Sequence, residues 1–152
     1  MLLPLSFVVF ISMIKDIFED VKRHKTDNLE NNRKVNVGNP ATGQFEQSTW
    51  MHVHVGRIVK VYCDEYFPCD LILLNSSAPK GICYIETKNL DGETNLKIKS
   101  ATKDTALMAN NDEEVMKKFT GAVVECEKPN EFLYKFEGNI SINGTTIPVG
   151  EN

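Results

Sequence analysis

Six or more short strands set against one clear helix, together with an apolar N-terminal run that turns amphipathic, predict a mainly β fold with one or two helices. The expected architecture is a distorted β-sandwich or jelly-roll-like body carried on a helix that leaves a membrane. The chain has 152 residues, of which 41% are hydrophobic, enough apolar material for one compact core.

The N-terminal run, Met1 to Ile14, is apolar and uncharged. It is shorter than the ~20 residues that a crossing needs, so it reads as the inner part of a truncated span. No basic region precedes it and no small-residue cleavage pattern follows, which argues against a signal peptide. Ile14, Ile17, Phe18 and Val21 then recur at helical spacing, so the helix continues past the apolar run. Lys15, Lys22, Arg23 and Lys25 lie just beyond it, and the positive-inside rule puts everything after about residue 15 in the cytosol. The first segment is therefore 1–25, a transmembrane end with its cytosolic extension. A polar, Asn-rich linker is expected over 26–40, with one short alternating piece at Val35 and Val37.

From residue 41 to 152 the β signals are dense. Val53, Val55, Ile58, Val59 and Val61 read as strand material interrupted at Gly56, with His52 and His54 on a shared solvent side. Leu71-Ile72-Leu73-Leu74 is a short continuous run of the kind buried on both faces. Ile82, Cys83 and Tyr84 extend the pattern, and Val123-Val124 and the alternating Phe132, Tyr134 and Phe136 resume it. Asn143-Gly144 between Ile142 and Thr145 has the favoured chemistry of a two-residue hairpin turn. A helix is predicted over Asp112 to Phe119: acids crowd its first turn, Lys117 and Lys118 its last, and Gly121 stops it. Its apolar side is Val115, Met116 and Phe119. The last strand ends near Asn152, so this body is expected to be incomplete at its C-terminus.

Composition excludes several functions. Lys plus Arg number 17 against 21 Asp plus Glu, a net charge of −4, which gives no electrostatic footprint for nucleic acid. Cys63, Cys69, Cys83 and Cys126 form no C-x-x-C pair and read as reduced cytosolic thiols. The gap between Cys63 and Cys69 fits no common zinc spacing, even with His52 and His54 nearby. The sequons at Asn75, Asn139 and Asn143 read as chance matches in turns on the cytosolic side. There is no phosphate-cradling glycine loop and no Ser-His-Asp signature.

The chemistry sits in Asn89-Leu90-Asp91-Gly92-Glu93-Thr94-Asn95-Leu96, where acid, glycine, acid and hydroxyl follow one another between strand-like runs. Four such residues alone are a common turn. A glycine beside a carboxylate nonetheless permits close backbone approach, and an exposed tip offers Glu93 to a reaction centre elsewhere.

The longer stretch Tyr84-Ile85-Glu86-Thr87-Lys88-Asn89-Leu90-Asp91-Gly92-Glu93-Thr94-Asn95-Leu96-Lys97 closely resembles the actuator-domain signature of type IV P-type ATPases, the eukaryotic phospholipid flippases. Met13-Ile14-Lys15-Asp16, with Glu19-Asp20, Arg23-His24 and Asp27, is similar to the cytosolic exit of the family's second transmembrane helix. Val55-Gly56, Ile58-Val59, Phe67-Pro68, Asp70-Leu71, Cys126-Glu127 and Pro129-Asn130 also fall in family order. Three positions depart from the pattern: Arg57 stands where an acid is usual, and Cys69 and Lys88 where alanine is. Cation pumps usually carry Thr-Gly-Glu-Ser in this loop, so Asp91 and Thr94 tell against that class. A membrane-tethered binding module with an inactive loop is the other alternative.

The resemblance implies a pump in which ATP, with Mg2+, phosphorylates an aspartate on a separate domain, and the actuator then promotes hydrolysis. Glu93 would act as general base, Gly92 would give clearance, and Asp91 and Thr94 would shape and position the loop. The Asp-Lys-Thr-Gly-Thr phosphorylation motif is absent from this sequence, so the fragment alone is expected to be inactive and to bind neither ATP nor metal. Implied partners are the phosphorylation and nucleotide-binding domains of the same pump, a phospholipid substrate and a glycosylated two-span accessory subunit. The implied location is a eukaryotic plasma membrane or a Golgi or endosomal membrane.

Overall fold

The computed structural model describes residues 2–132 and 135–150, with side chains from Pro4 onward. Helix α1 spans Leu2–Asn31 without a break, a rod about 45 Å long at 1.5 Å per residue. Lys15 and Glu19 pair at 3.4 Å on its exposed surface. No described helix is long and apolar enough to cross a membrane, in keeping with an apolar run that is itself too short. Phe7, Phe10, Ile17, Phe18 and Val21 all remain exposed.

The stretch 26–40, expected as a linker, is instead the end of α1 and a strand, β1 (Lys34–Asn39). Polar side chains sustain the helix end by bonding back to its carbonyls: Thr26 Oγ1 donates to Lys22 O at 3.1 Å and Asn32 Nδ2 to Asn28 O at 2.7 Å. Strand β1 forms because β2 (Gln44–Thr49) pairs with it antiparallel, Val35 opposite Ser48 and Val37 opposite Glu46. Strand β2 carries a single large apolar residue, Phe45, so no alternation announces it. The predicted strand around Val53 to Val61 shrinks to β3 (Val59–Lys60), which adds to the other edge of β1. His52 ends a one-turn 3-10 helix and His54 follows in a loop, both exposed.

Helix α4 forms at the predicted bounds, Asp112–Phe119, after a shorter helix α3 (Lys103–Met108) and the single turn α2 (Lys88–Asp91). Asn111 caps α4 by accepting from Glu114 N–H at 2.9 Å, a bond whose loss typically costs ~1 kcal/mol. Met116 and Phe119 are buried. Beyond it, β6 (Val123–Cys126), β7 (Glu137–Ile142) and β8 (Thr145–Gly150) make a meander. Asn143 and Gly144 both have positive φ, 48° and 81°, as the tight turn joining Ile142 to Thr145 requires. Alternate residues Ile140, Ile142, Ile147 and Val149 point inward and close on Phe119 and Ala109 to form the core.

One predicted strand is absent among the described residues, and another lies partly outside them. Ile72 and Leu74 pack against the core, but residues 71–74 join no ladder among the described residues. Phe132 and Phe136 lie outside any strand, and Tyr134 falls outside the described residues. The fold is thus β-rich, with three small sheets among the described residues: β2-β1-β3, then β4 (Ile82–Ile85) with β5 (Lys97–Ser100), then β6-β7-β8.

The middle sheet, β4 (Ile82–Ile85) with β5 (Lys97–Ser100), is the hairpin that carries the Asp91 to Thr94 loop. Its base is anchored: Ala101 N–H donates to Gly81 O at 2.9 Å, and Gly81, at φ 65°, lets Ala101 and Ala106 close in where a Cβ would stand 3.0 Å from each. Thr102 caps α3 and bonds the fully buried Thr105 hydroxyl at 2.8 Å. Asn75 Nδ2 donates to Ala109 O, and Ser76 Oγ donates to Ile82 O at 2.7 Å. These contacts tie the hairpin to the helical layer.

Candidate functional site

The loop joins Ile85 to Lys97, which face each other on the last rung of the β4–β5 ladder. Its first half is α2, whose turn closes with Gly92 in the left-handed region, φ 76° and ψ −1°, donating to Lys88 O at 3.0 Å. Only glycine takes this conformation at little cost, and no atom lies within 4 Å of where its Cβ would be. The glycine therefore serves the turn and leaves open space beside it.

Asp91 is the keystone of the turn. Its Oδ1 accepts from Glu93 N–H at 2.9 Å and its Oδ2 from Thr87 Oγ1 at 2.8 Å, the local bonding by which an aspartate fixes a reverse turn. Lys97 Nζ pairs with the same Oδ2. The Asp91 side chain is only 11% exposed, so these partners compensate a carboxylate largely removed from water. Glu93 shares the Lys97 partner but faces solvent. Its side chain is 60% exposed and its carboxylate meets Lys97 Nζ at 3.2 Å. Thr94 is exposed, and its hydroxyl makes no hydrogen bond among the described residues.

The arrangement separates two roles: Asp91 and Gly92 define the backbone, while Glu93 is presented outward from it. Leu90 and Leu96, 71% and 60% exposed, flank the tip. Lys97 and Thr87 received no role from sequence reasoning. The available signals were their spacings, Lys97 four residues after Glu93 and Thr87 four before Asp91.

The cysteines lie away from the loop and all four are free. Burial pushes the Cys83 thiol up from its ordinary value, partly offset by Lys99 across the ladder. Burial and the neighbouring Asp70 do the same to Cys69. Among the described residues no group of three or more His, Cys, Asp or Glu could hold a metal ion.

No protein-family model matches the chain. Sequence comparison with individual proteins is decisive. Over 149 residues, 98% of the chain, it is 42% identical to phospholipid-transporting ATPase 1 of Arabidopsis thaliana. It is 45% identical over its whole length to phospholipid-transporting ATPase 6 of the same plant, and 43% identical over 146 residues to phospholipid-transporting ATPase IC of Xenopus tropicalis. By sequence the chain belongs with the phospholipid-transporting ATPases, the type IV P-type family. It spans only 11–12% of the length of these relatives. Within a phospholipid-transporting ATPase this stretch corresponds to part of the actuator domain, and the β-rich fold agrees with that assignment.

Proposed function

We propose that this chain is an actuator-domain segment of an ATP-driven, phospholipid-translocating membrane pump, and that its loop catalyses hydrolysis of an aspartyl phosphate held on another domain of the same pump. Glu93 orients a water molecule and takes its proton as the water oxygen attacks phosphorus. The bond from phosphorus to the aspartate oxygen breaks, and free aspartate and inorganic phosphate result. A positioned general base typically contributes about 10²–10⁴-fold in rate. Asp91 and Gly92 shape the loop, and Thr94 joins them in positioning it. ATP and Mg2+ act at the phosphorylation and nucleotide-binding domains, and no step on this chain runs through them.

The observation that carries this reading is the exposure of Glu93, 60%, on a turn whose shape is set by its neighbours. A reactive side chain must be free to enter another domain's site, and phosphoryl transfer depends chiefly on positioning and charge. The names of the relatives, phospholipid-transporting ATPases, support a phospholipid as the transported substrate. In this reading the body is 41–152 together with β1, and residues 1–25 continue a membrane helix whose basic flank faces the cytosol. The unbroken path of α1 through Lys15 to Val21 supports its use as a lever between loop and lipid path. A glycosylated two-span accessory subunit and a eukaryotic plasma, Golgi or endosomal membrane are carried over from the family resemblance.

The test is a segment exchange: this chain replaces the matching stretch of an Arabidopsis phospholipid-transporting ATPase, and uptake of a labelled phospholipid is measured in cells lacking their own transporters. The expected result is ATP-dependent uptake by the chimera. A chimera that is phosphorylated by ATP yet neither dephosphorylates nor transports would overturn the proposal.

A further inference from the structure

We infer that Lys97 is a positioning residue for the proposed hydrolysis, holding the Glu93 carboxylate at the loop tip and balancing its charge as it meets an anionic phosphoryl group. The inference rests on the reading that Glu93 aligns the attacking water. Both ends of Glu93 refer to one ion pair: its amide donates to Asp91 Oδ1 at 2.9 Å, its carboxylate meets Lys97 Nζ at 3.2 Å, and Lys97 pairs with Asp91. The holders are themselves rigid. Lys97 opens β5 opposite Ile85, and Asp91 ends α2 with Thr87 Oγ1 donating to the same Oδ2 that meets Lys97.

A glutamate with three rotatable bonds and 60% exposure would otherwise sample many rotamers, and an entropy cost would precede every productive approach. Lys97 reduces that search. Its second effect is electrostatic. Glu93 must bring a negative charge against a phosphoryl group that is itself negative. Lys97, whose side chain is only 24% exposed, carries a charge screened less by salt than one in open water, so it travels with the loop as a fixed countercharge. Serving Asp91 alone would require no contact with Glu93, and it is the shared geometry that points to the second role.

The experiment measures decay of labelled phosphoenzyme in a full-length pump carrying this segment. Lys97→Met is expected to slow decay between about tenfold and a hundredfold, the range of a small misplacement of a reacting group, while Lys97→Arg keeps most of the wild-type rate. In a Glu93→Gln background Lys97→Met should cause no further slowing, because a residue acting through Glu93 has nothing left to position. Asp91→Asn/Lys97→Met removes the partly buried charges together and should stay slow. It also carries the test should Lys97→Met alone lower phosphoenzyme formation from ATP.

Wild-type decay in Lys97→Met, equal extra slowing on top of Glu93→Gln, or recovery in the Asp91→Asn/Lys97→Met pair would each overturn the inference. If Glu93→Gln itself decays at the wild-type rate, the reading of Glu93 fails. If Glu93→Gln is slow and Lys97→Met is not, only the role of Lys97 falls.

Discussion

Asp91 and Glu93 are two carboxylates of one loop with opposite fates, and the difference comes from where the backbone points them. Asp91 turns inward, 11% exposed, and spends both oxygens on Thr87, Lys97 and the Glu93 amide. Glu93 turns outward. Gly92 stands between them at φ 76° with open space around it, so Gly92→Ala meets no clash and should lose only ~1–2 kcal/mol of local loop stability through left-handed strain. Amide hydrogen exchange at Glu93 reads that change: faster exchange there with an unaltered core is expected, and faster exchange across the whole chain would contradict it.

Thiol chemistry tests the environment of the same hairpin. Burial favours the neutral form of Cys83 and raises its pKa above the ordinary 9.0. That contribution to stability is complete below the ordinary thiol range and is lost as pH climbs through the raised value. At about pH 8, iodoacetamide should therefore modify the exposed Cys63 and Cys126 well before Cys83. Equal rates at all three, followed by mass spectrometry, would contradict the partial burial of the Cys83 thiol.

At the element scale, Arg33 spans the junction of α1 with the β body. Arg33 lies between the rings of Trp50, at 5.2 Å, and Tyr66, at 4.7 Å, and pairs with Glu30 at 2.6 Å. Its own carbonyl accepts from Trp50 N–H at 3.0 Å. Cation–π contacts at partly exposed sites are worth ~0.5–1 kcal/mol each, so Arg33→Ala should loosen the joint by about 1–2 kcal/mol. Trp50 is the only tryptophan in the chain and reports directly: its emission should shift in Arg33→Ala and recover partly in Arg33→Lys. Unchanged emission would remove the clamp from the account.

The same junction explains what was legible in the sequence. Helix α4 and the Asn143-Gly144 hairpin were readable because caps, charges and turn residues agree with the packing, Met116 and Phe119 facing inward and Ile140 paired with Ile147. The end of α1, β2 and α3 were not, and β1 showed only in the alternation of Val35 and Val37. Residues 26–31 carry one apolar side chain, the exposed Leu29, β2 has one large apolar side chain, and α3 is one and a half turns long, so none of them shows an apolar period that marks it. Conversely, Leu71 to Leu74 has strand composition but finds no ladder. In the candidate site the family resemblance singled out Glu93, whereas the ion pair of Lys97 with Asp91 and Glu93 depends on a hairpin register that spacing alone does not give.

At the scale of the whole molecule, the proposed mechanism makes α1 a lever, the β-rich body its carrier and the hairpin tip the part that reaches a site on another domain. The orientation has a direct check. Asn139 and Asn143 are exposed, so glycosidase treatment of the protein from eukaryotic cells should leave its mobility unchanged if the body faces the cytosol, while a shift would reverse the topology. The central claim is that Glu93 supplies the base for dephosphorylation, and the most direct measurement is an acid-quenched chase of labelled phosphoenzyme in a full-length pump carrying Glu93→Gln, with transportable lipid present. The expected result is normal phosphorylation from ATP and decay slowed by about 10²-fold or more, so that phosphoenzyme accumulates and transport stops. Decay at the wild-type rate would contradict it and leave the loop an ordinary turn.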